Sequence, residues 1–294
     1  MRILLLGNTG QLGWELERTL APLGSITALD YPQVDLGEPE SLRKLVRLSQ
    51  PQVIVNATAY TAVDKAEAER DLAFKVNAFG PGILAEEARS LGAILLHYST
   101  DYVFDGVKTT PYRETDAPAP LNVYGQSKLA GEQAVRQAGG AGLVLRTSWV
   151  YSLRRDNFVT KVLAWSRQQC SLRLVSDQVS SPTWCRMLAE ISAQALALAM
   201  VQPDPYGWVE ERSGIYHVAN GGFASRLGWG RALMRLDPRR SEQVVEEILP
   251  ASSADFPAPA RRPSFSALSC DHFRDVFGLE LPGWEGALQL ALSV

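Results

Sequence analysis

Short apolar runs alternate with segments of helical periodicity through the first half of the chain. Arg2–Leu6, RILLL, is a continuous apolar run suited to a strand covered on both faces. Gly7 stops it, and Trp14, Leu16, Leu20 and Leu23 follow at helical spacing, with Glu15 and Glu17 predicted in that helix's first turn. Ser25–Leu29 predicts a second strand, Glu38–Leu48 a helix, Pro51–Asn56 a third strand, Asp71–Leu91 a long helix that includes Asn77, and Ala93–Tyr98 a fourth strand. This order calls for an α/β fold with a doubly wound parallel sheet, right-handed crossovers and ligands at the strands' carboxyl ends.

Past Arg146 the pattern loosens. LVLRTSWVY carries the next strand, Asn157 and Phe158 open a helix, Trp184–Met200 is helical, Asp204–Arg212 reads as an exposed connection and Gly214–Asn220 as a strand. These segments predict a smaller, interleaved C-terminal domain. The division is 1–150 for the sheet domain and 151–294 for the second, with some segments returning to the first.

Composition narrows the function classes. Among 294 residues, 46% are apolar and 21% charged, and the net charge of -3 without a basic run argues against a nucleic-acid partner. Cys170, Cys185 and Cys270 are too few and too scattered for a disulfide framework or a zinc site, and a reducing cytoplasm fits best. Met1–Leu6 is too short for a signal peptide, and the lipophilic Leu188–Val201 carries Glu190 and falls short of a bilayer span, so no membrane association is expected.

The candidate chemistry lies at the predicted strand ends. In GNTGQLG, Gly7, Gly10 and Gly13 join the first strand to a helix, the order in which a backbone turns sharply and brings free N–H groups to a pyrophosphate. Asp30, after the second strand, either accepts hydrogen bonds from an adenosine ribose, favouring NADH, or starts a turn before Pro32. Asp35 and Leu36 border the adenine position, and the small Ala57, Thr58 and Ala59 let the chain pass close to a ligand. Ser99 and Thr100 follow the fourth strand, where a hydroxyl either meets a carbonyl oxygen or begins a turn. LNVYGQSKLAGE places Tyr124 and Lys128 at i and i+4, on one helix face; this is either chance spacing or a proton donor with a cation that lowers its pKa. Of nine tyrosines, only Tyr124 has a lysine four positions on. Trp149 is either a face for a sugar ring or a core residue, and Arg261 and Arg262 are either diphosphate ligands or solvated surface arginines.

GNTGQLGWEL, NATAYTAVDKAE, HYSTDYVFDG, PLNVYGQSKLAGE, LRTSWVY, DQVSSPT, GIYHVANGG and PAPARRP together resemble the dTDP-4-dehydrorhamnose reductase family of extended short-chain dehydrogenases/reductases, from end to end. The resemblance implies a Rossmann-type doubly wound sheet and NADPH or NADH as cofactor. It implies Tyr124 as proton donor to C4 of a keto sugar, Lys128 holding the nicotinamide ribose, and Thr100 orienting the carbonyl. Gly7, Gly10, Gln11, Leu12 and Gly13 would cradle the pyrophosphate, with Asp30, Asp35, Leu36, Ala57, Thr58 and Ala59 along the cofactor. Thr100, Asp101, Tyr102, Tyr124 and Trp149 would meet the dTDP-sugar. Two alternatives share these motifs: a nucleotide-sugar epimerase or dehydratase that retains NAD, and a non-catalytic NADP-binding regulatory subunit.

The chain departs from the family pattern in two places. Some members bind Mg2+ between subunits through two glutamates; here Glu15 is present, but Arg186 stands at the second position. No metal is therefore expected, and a possible homodimer would have to rely on other contacts, such as an ion pair from Arg186 to Glu15. Arg226 stands where the family more often has an aromatic residue, in the sugar domain and away from the hydride chemistry.

Overall fold

The computed structural model describes residues 1–293. Its first half runs β1 (Arg2–Leu6), α1 (Gln11–Thr19), β2 (Ser25–Leu29), α2 (Pro39–Ser49), β3 (Val53–Asn56), the one-turn α3 (Val63–Ala66), α4 (Arg70–Phe74), a π-turn (Lys75–Phe79), α5 (Gly80–Leu91), β4 (Ile94–Thr100), α6 (Val123–Ala138) and β5 (Gly142–Thr147). The second half adds β6 (Val150–Tyr151), α7 (Phe158–Ser166), β7 (Ser171–Val175), β8 (Val179–Ser180), β9 (Thr183–Trp184), α8 (Cys185–Met200), α9 (Pro205–Glu210), β10 (Gly214–His217), β11 (Ala224–Ser225), α10 (Arg226–Leu236), β12 (Glu247–Ala251), α11 (Asp271–Phe277) and α12 (Trp284–Leu292).

Six parallel strands form the central sheet in the order β10-β5-β4-β3-β1-β2. Because successive side chains point to opposite faces, Ile3 and Leu5 enter one core with Leu16, Leu188 and Leu196, while Leu4 and Leu6 enter the other with Leu42, Val46 and Leu84. That explains why β1 reads as an unbroken apolar run: each of these leucines contributes about 1.5–3 kcal/mol on burial, and neither face can be polar. The order in which strands are added reverses between β1 and β3, which opens the crevice where such sheets take ligands.

The second half both completes this sheet and builds its own core. β10 pairs with β5, and α8 packs on α1, so residues past 150 are part of the first layer. A separate core gathers Tyr151, Val159, Leu174, Trp229, Leu233 and Leu288 beneath the β7–β12 pair.

Several element boundaries differ from those read in the sequence. Ser99 and Thr100 are the last residues of β4, not a loop after it, because Ser99 and Thr100 still pair with Arg146 and Thr147 of β5. Glu15 and Glu17 fall beyond the first turn of α1, which begins at Gln11. Asp204–Arg212 contains helix α9, whose start is set by the Asp204 side chain accepting from the Gly207 N–H at 3.0 Å, with Pro205 at the first position. The long helix 71–91 is interrupted by the π-turn that holds Asn77. Among the described residues no helix is long and apolar enough to cross a membrane.

Candidate active site

The cofactor groove is shaped by close backbone approaches at the β1–β3 crevice. Gly7 has φ of 87°, and a Cβ there would meet the Thr58 amide nitrogen at 2.8 Å. At Gly13 a Cβ would stand 2.0 Å from the Gly7 carbonyl oxygen, so α1 packs on the turn only with glycine present. The α1 N-terminus has no side-chain cap, which leaves its first N–H groups open to an anion. The Thr58 hydroxyl is buried beside this turn without a hydrogen-bond partner, so a ligand group in the crevice would satisfy it.

Other residues assigned to the cofactor have engaged side chains. The Gln11 amide oxygen accepts from Ser152 Oγ and Asn157 Nδ2, both at 3.0 Å, and Leu12 packs against the core, so only their backbones face a pyrophosphate. Asp30 accepts from the Thr9 hydroxyl, from the Thr9 N–H at 3.1 Å and from the Tyr31 N–H at 2.8 Å. It is both the edge of the groove and the clamp on its glycine turn. The Asp35 carboxylate accepts the Gly37 N–H at 2.8 Å, and Leu36 is 2% exposed. The Leu36 side chain fills the core against Gly80, so at this position it is the backbone that is left to border an adenine. Ala57, Thr58 and Ala59 form the half-buried wall after β3.

Thr100, Tyr124 and Lys128 converge across β4 and α6. Asn122 caps α6 by accepting the Gly125 N–H at 2.8 Å, and a Cβ at Gly125 would meet the Tyr102 carbonyl oxygen at 2.2 Å. That glycine lets the helix bring Tyr124 against the Asp101–Val103 turn. The Thr100 hydroxyl faces the phenol and favours its ionisation, but burial outweighs this and raises the Tyr124 pKa above that of a free tyrosine. Lys128 Nζ donates to the Tyr98 carbonyl at 2.6 Å, and its own pKa is pushed down to about 8 by burial. The expectation that Lys128 lowers the Tyr124 pKa is not met in this state, since burial acts on both groups in the direction of neutrality.

This shift carries a pH prediction. The free enzyme loses the Lys128 charge as pH rises through about 8, so kcat/KM falls there, and Lys128→Arg, which stays cationic, removes that limb of the pH profile. Stability moves the other way. An unfolded lysine keeps its proton to about 10.5, so between about 8 and 10.5 the native state sheds a buried charge and urea midpoints rise.

Asp101 is 2% exposed and accepts from Thr100 Oγ1 at 3.1 Å, Ser180 Oγ at 3.0 Å and Ser266 Oγ at 2.5 Å. With three hydroxyls donating to it, its carboxylate is engaged by the protein in this structure. It ties β4, β8 and the C-terminal loop together behind Thr100, and burial raises its pKa. Tyr102 lies edge-on to Tyr124, ring centroids 5.9 Å apart. Trp149 holds φ of 42°, stacks on Trp229 at 5.5 Å and lies under the Arg226 guanidinium at 4.2 Å. Its faces are thus largely occupied, leaving an edge for a ligand.

A cavity of about 1060 Å³ opens beside these residues, lined by Lys108, Gln178, Arg226, Arg261 and Arg262 among others. Arg262 is forked onto Asp64 at 2.7 and 3.0 Å, while Arg261 stays exposed on the rim, so only Arg261 of that pair is free for a diphosphate. Arg226 lines the same cavity and neighbours Tyr102, which packs edge-on to Tyr124, so the view that it stands away from the hydride chemistry is corrected.

The sequence did not single out the contacts of Asn77 and Ser127. Asn77 accepts the Tyr60 N–H at 2.8 Å and donates to the Tyr60 carbonyl and to Ser127 Oγ, both at 3.0 Å, locking the loop after β3 to α6. Only the π-turn turns it inward.

The chain matches the family described as RmlD substrate binding domain over residues 1–294. It belongs to that family. A dTDP-4-dehydrorhamnose reductase of Burkholderia thailandensis is 42% identical, covering 99% of this chain and 98% of its own. Among solved structures, a dTDP-4-dehydrorhamnose reductase of Clostridium acetobutylicum superposes with a TM-score of 0.89 at 31% identity, covering 100% of this chain and 99% of its own. One from Bacillus anthracis, in complex with NADP, gives a TM-score of 0.88 at 32% identity and covers 99% and 98%.

Glu15 and Arg186 of this RmlD-family chain line one cavity with Arg18, Arg154 and Glu190, and Arg186 pairs with Glu190 at 3.1 Å within its own helix. Glu15 and Arg186 therefore face one cavity within a single chain, with Arg186 committed to Glu190. Among the described residues no cluster of three or more His, Cys, Asp or Glu side chains has a metal-binding arrangement.

Proposed function

We propose that this chain is an NAD(P)H-dependent oxidoreductase that reduces the C4 keto group of dTDP-4-dehydro-β-L-rhamnose to dTDP-β-L-rhamnose. The observation that carries this reading is the convergence of Thr100, Tyr124 and Lys128 across β4 and α6, with Tyr124 edge-on to Tyr102 and Tyr102 beside Arg226 of the arginine-lined cavity. The relatives bearing the reductase name match over nearly their whole length.

Bound NADPH or NADH supplies the hydride to C4. Gly7, Gly10, Gly13 and the α1 N-terminus hold the pyrophosphate, and Thr58 supplies a hydroxyl to the cofactor. Lys128 spends one N–H on Tyr98 and keeps two for the ribose hydroxyls. Tyr124 gives its proton to the C4 oxygen, completing the alcohol as the C4–H bond forms. Its raised pKa keeps that proton in place until then. Thr100 has a single hydroxyl proton, here donated to Asp101; rotation about the C–O bond turns it to the substrate oxygen.

The test is oxidation of NADPH and of NADH by the purified protein with dTDP-4-dehydro-L-rhamnose generated in situ. Substrate-dependent oxidation supports the reading. A protein that does not oxidise either cofactor and retains NAD through purification would instead be an epimerase or dehydratase.

The same reading puts the enzyme in the cytoplasm and pairs it with a second copy through the α1–α8 face, where Arg18, Arg186, Glu15 and Glu190 line one cavity with Arg154 of the loop before α7. Sedimentation should give a dimer, and Arg18→Glu with Arg154→Glu should shift it towards monomer.

A further inference from the structure

Arg226 is the first residue of α10, after Ser225, whose side chain accepts the Gly228 N–H at 3.0 Å. Its guanidinium lies 4.2 Å from the Trp149 ring centroid and 5.2 Å from that of Phe158. Nε donates to Gln178 Oε1 at 3.4 Å, and the Tyr102 hydroxyl is a second neighbour. Among the described residues it is in no ion pair, although it is half-buried in the wall of the large cavity. The other inward arginines differ: Arg146 is paired with Glu132 and Arg262 with Asp64.

A guanidinium taken out of water without an anion costs stability, and its aromatic neighbours return only about 0.5–2 kcal/mol per contact. Stacking also uses the faces of the group and leaves the N–H edge, with five donors, mostly unspent. The nearby carboxylates are committed elsewhere: Asp64 to Arg262, Asp101 to its hydroxyls, and Asp105 to Tyr112 Oη at 2.7 Å. The cavity wall therefore carries Lys108, Arg226, Arg261 and Arg262, and among them Arg226 is a half-buried forked donor without an ion-pair partner among the described residues.

We propose that Arg226 is a specificity-determining residue that binds the sugar-linked phosphate of the nucleotide-sugar. This rests on the function proposed above. Tyr102 connects Arg226 to Tyr124, so Arg226 stands one side chain away from the proton donor. A hexose with C4 at Tyr124 carries its phosphate on C1, across the ring. Arg226 is half-buried beside Tyr102, whose ring centroid lies 5.9 Å from that of Tyr124, whereas Arg261 lines the same cavity as an exposed side chain. Trp149 and Gln178 then act as positioning residues that hold the fork edge-on to the cavity.

Calorimetric binding of dTDP and dTMP to the wild type, Arg226→Met and Arg226→Lys tests this. dTMP lacks the sugar-linked phosphate, and Met keeps the apolar contact with Trp149 and Phe158. Expected is a wild-type preference for dTDP that Arg226→Met reduces by roughly 10- to 100-fold, the scale of charged hydrogen bonds, with dTMP affinity unchanged. KM for the dTDP-sugar should rise with kcat nearly constant, and Arg226→Lys should retain part of the preference, which keeps the test open if Arg226→Met does not fold. An undiminished dTDP-to-dTMP ratio in the variants, or equal loss of both ligands, would overturn the role of Arg226 alone. A wild type that binds neither nucleotide would overturn the proposed function as well.

Discussion

Tyr124→Phe should lower turnover about 100-fold or more while NADPH still binds with near wild-type affinity. The phenol is the acidic hydrogen that α6 brings beside Thr100, and its removal leaves the ring, the edge contact with Tyr102 and the Asn122 cap in place. Because burial raises the Tyr124 pKa, the group is a reservoir of one proton at neutral pH and gives it up only to the strongly basic oxygen that forms on hydride arrival. The loss should appear in kcat, since the proton is shared only in the transition state. Cofactor affinity is read by quenching of tryptophan fluorescence and the chemical step by single-turnover oxidation. Wild-type turnover in Tyr124→Phe would remove this residue from the mechanism.

Glu132→Ala should destabilise the protein by about 3–5 kcal/mol without touching a ligand. Glu132 accepts from Arg146 Nε at 2.8 Å and Nη2 at 2.6 Å and from Ser99 Oγ at 2.5 Å, and its side chain is 1% exposed. Truncation strands the Arg146 guanidinium, 2% exposed, with no anion and with His217 3.5 Å away. His217 supplies no counter-charge: burial and the Arg146 charge push its pKa down to about 3, so it stands beside the guanidinium as a neutral ring. Urea denaturation measures the loss. Replacing both partners with apolar residues, Glu132→Leu with Arg146→Met, should recover most of it, because neither charge then remains buried. A single variant as stable as wild type would show that solvent reaches the pair.

The pair also shows how far sequence reasoning reaches. Glu132 closes the same LNVYGQSKLAGE stretch that carries Tyr124 and Lys128, and the i, i+4 relation that puts those two on one face also points Glu132 inward. The motif was legible as chemistry because it is local. Its last residue was not, because Glu132 takes its meaning from Arg146, which reaches it across the β4–β5 pairing.

The sequence by itself determined the doubly wound sheet, the glycine turn between β1 and α1, and the Tyr124–Lys128 face, since each rests on a period or spacing within one element. Only the tertiary structure decided which side chains remain free to act. Asp101 and Leu36 read as ligand contacts but are buried, Gln11 and Arg262 are held by Ser152, Asn157 and Asp64, and Arg226 is left without an anion at the cavity wall. The physical reason is that burial and hydrogen-bond partnership come from segments as far apart in the chain as Asp64 and Arg262, and no local pattern records which distant donor or acceptor has already claimed a group.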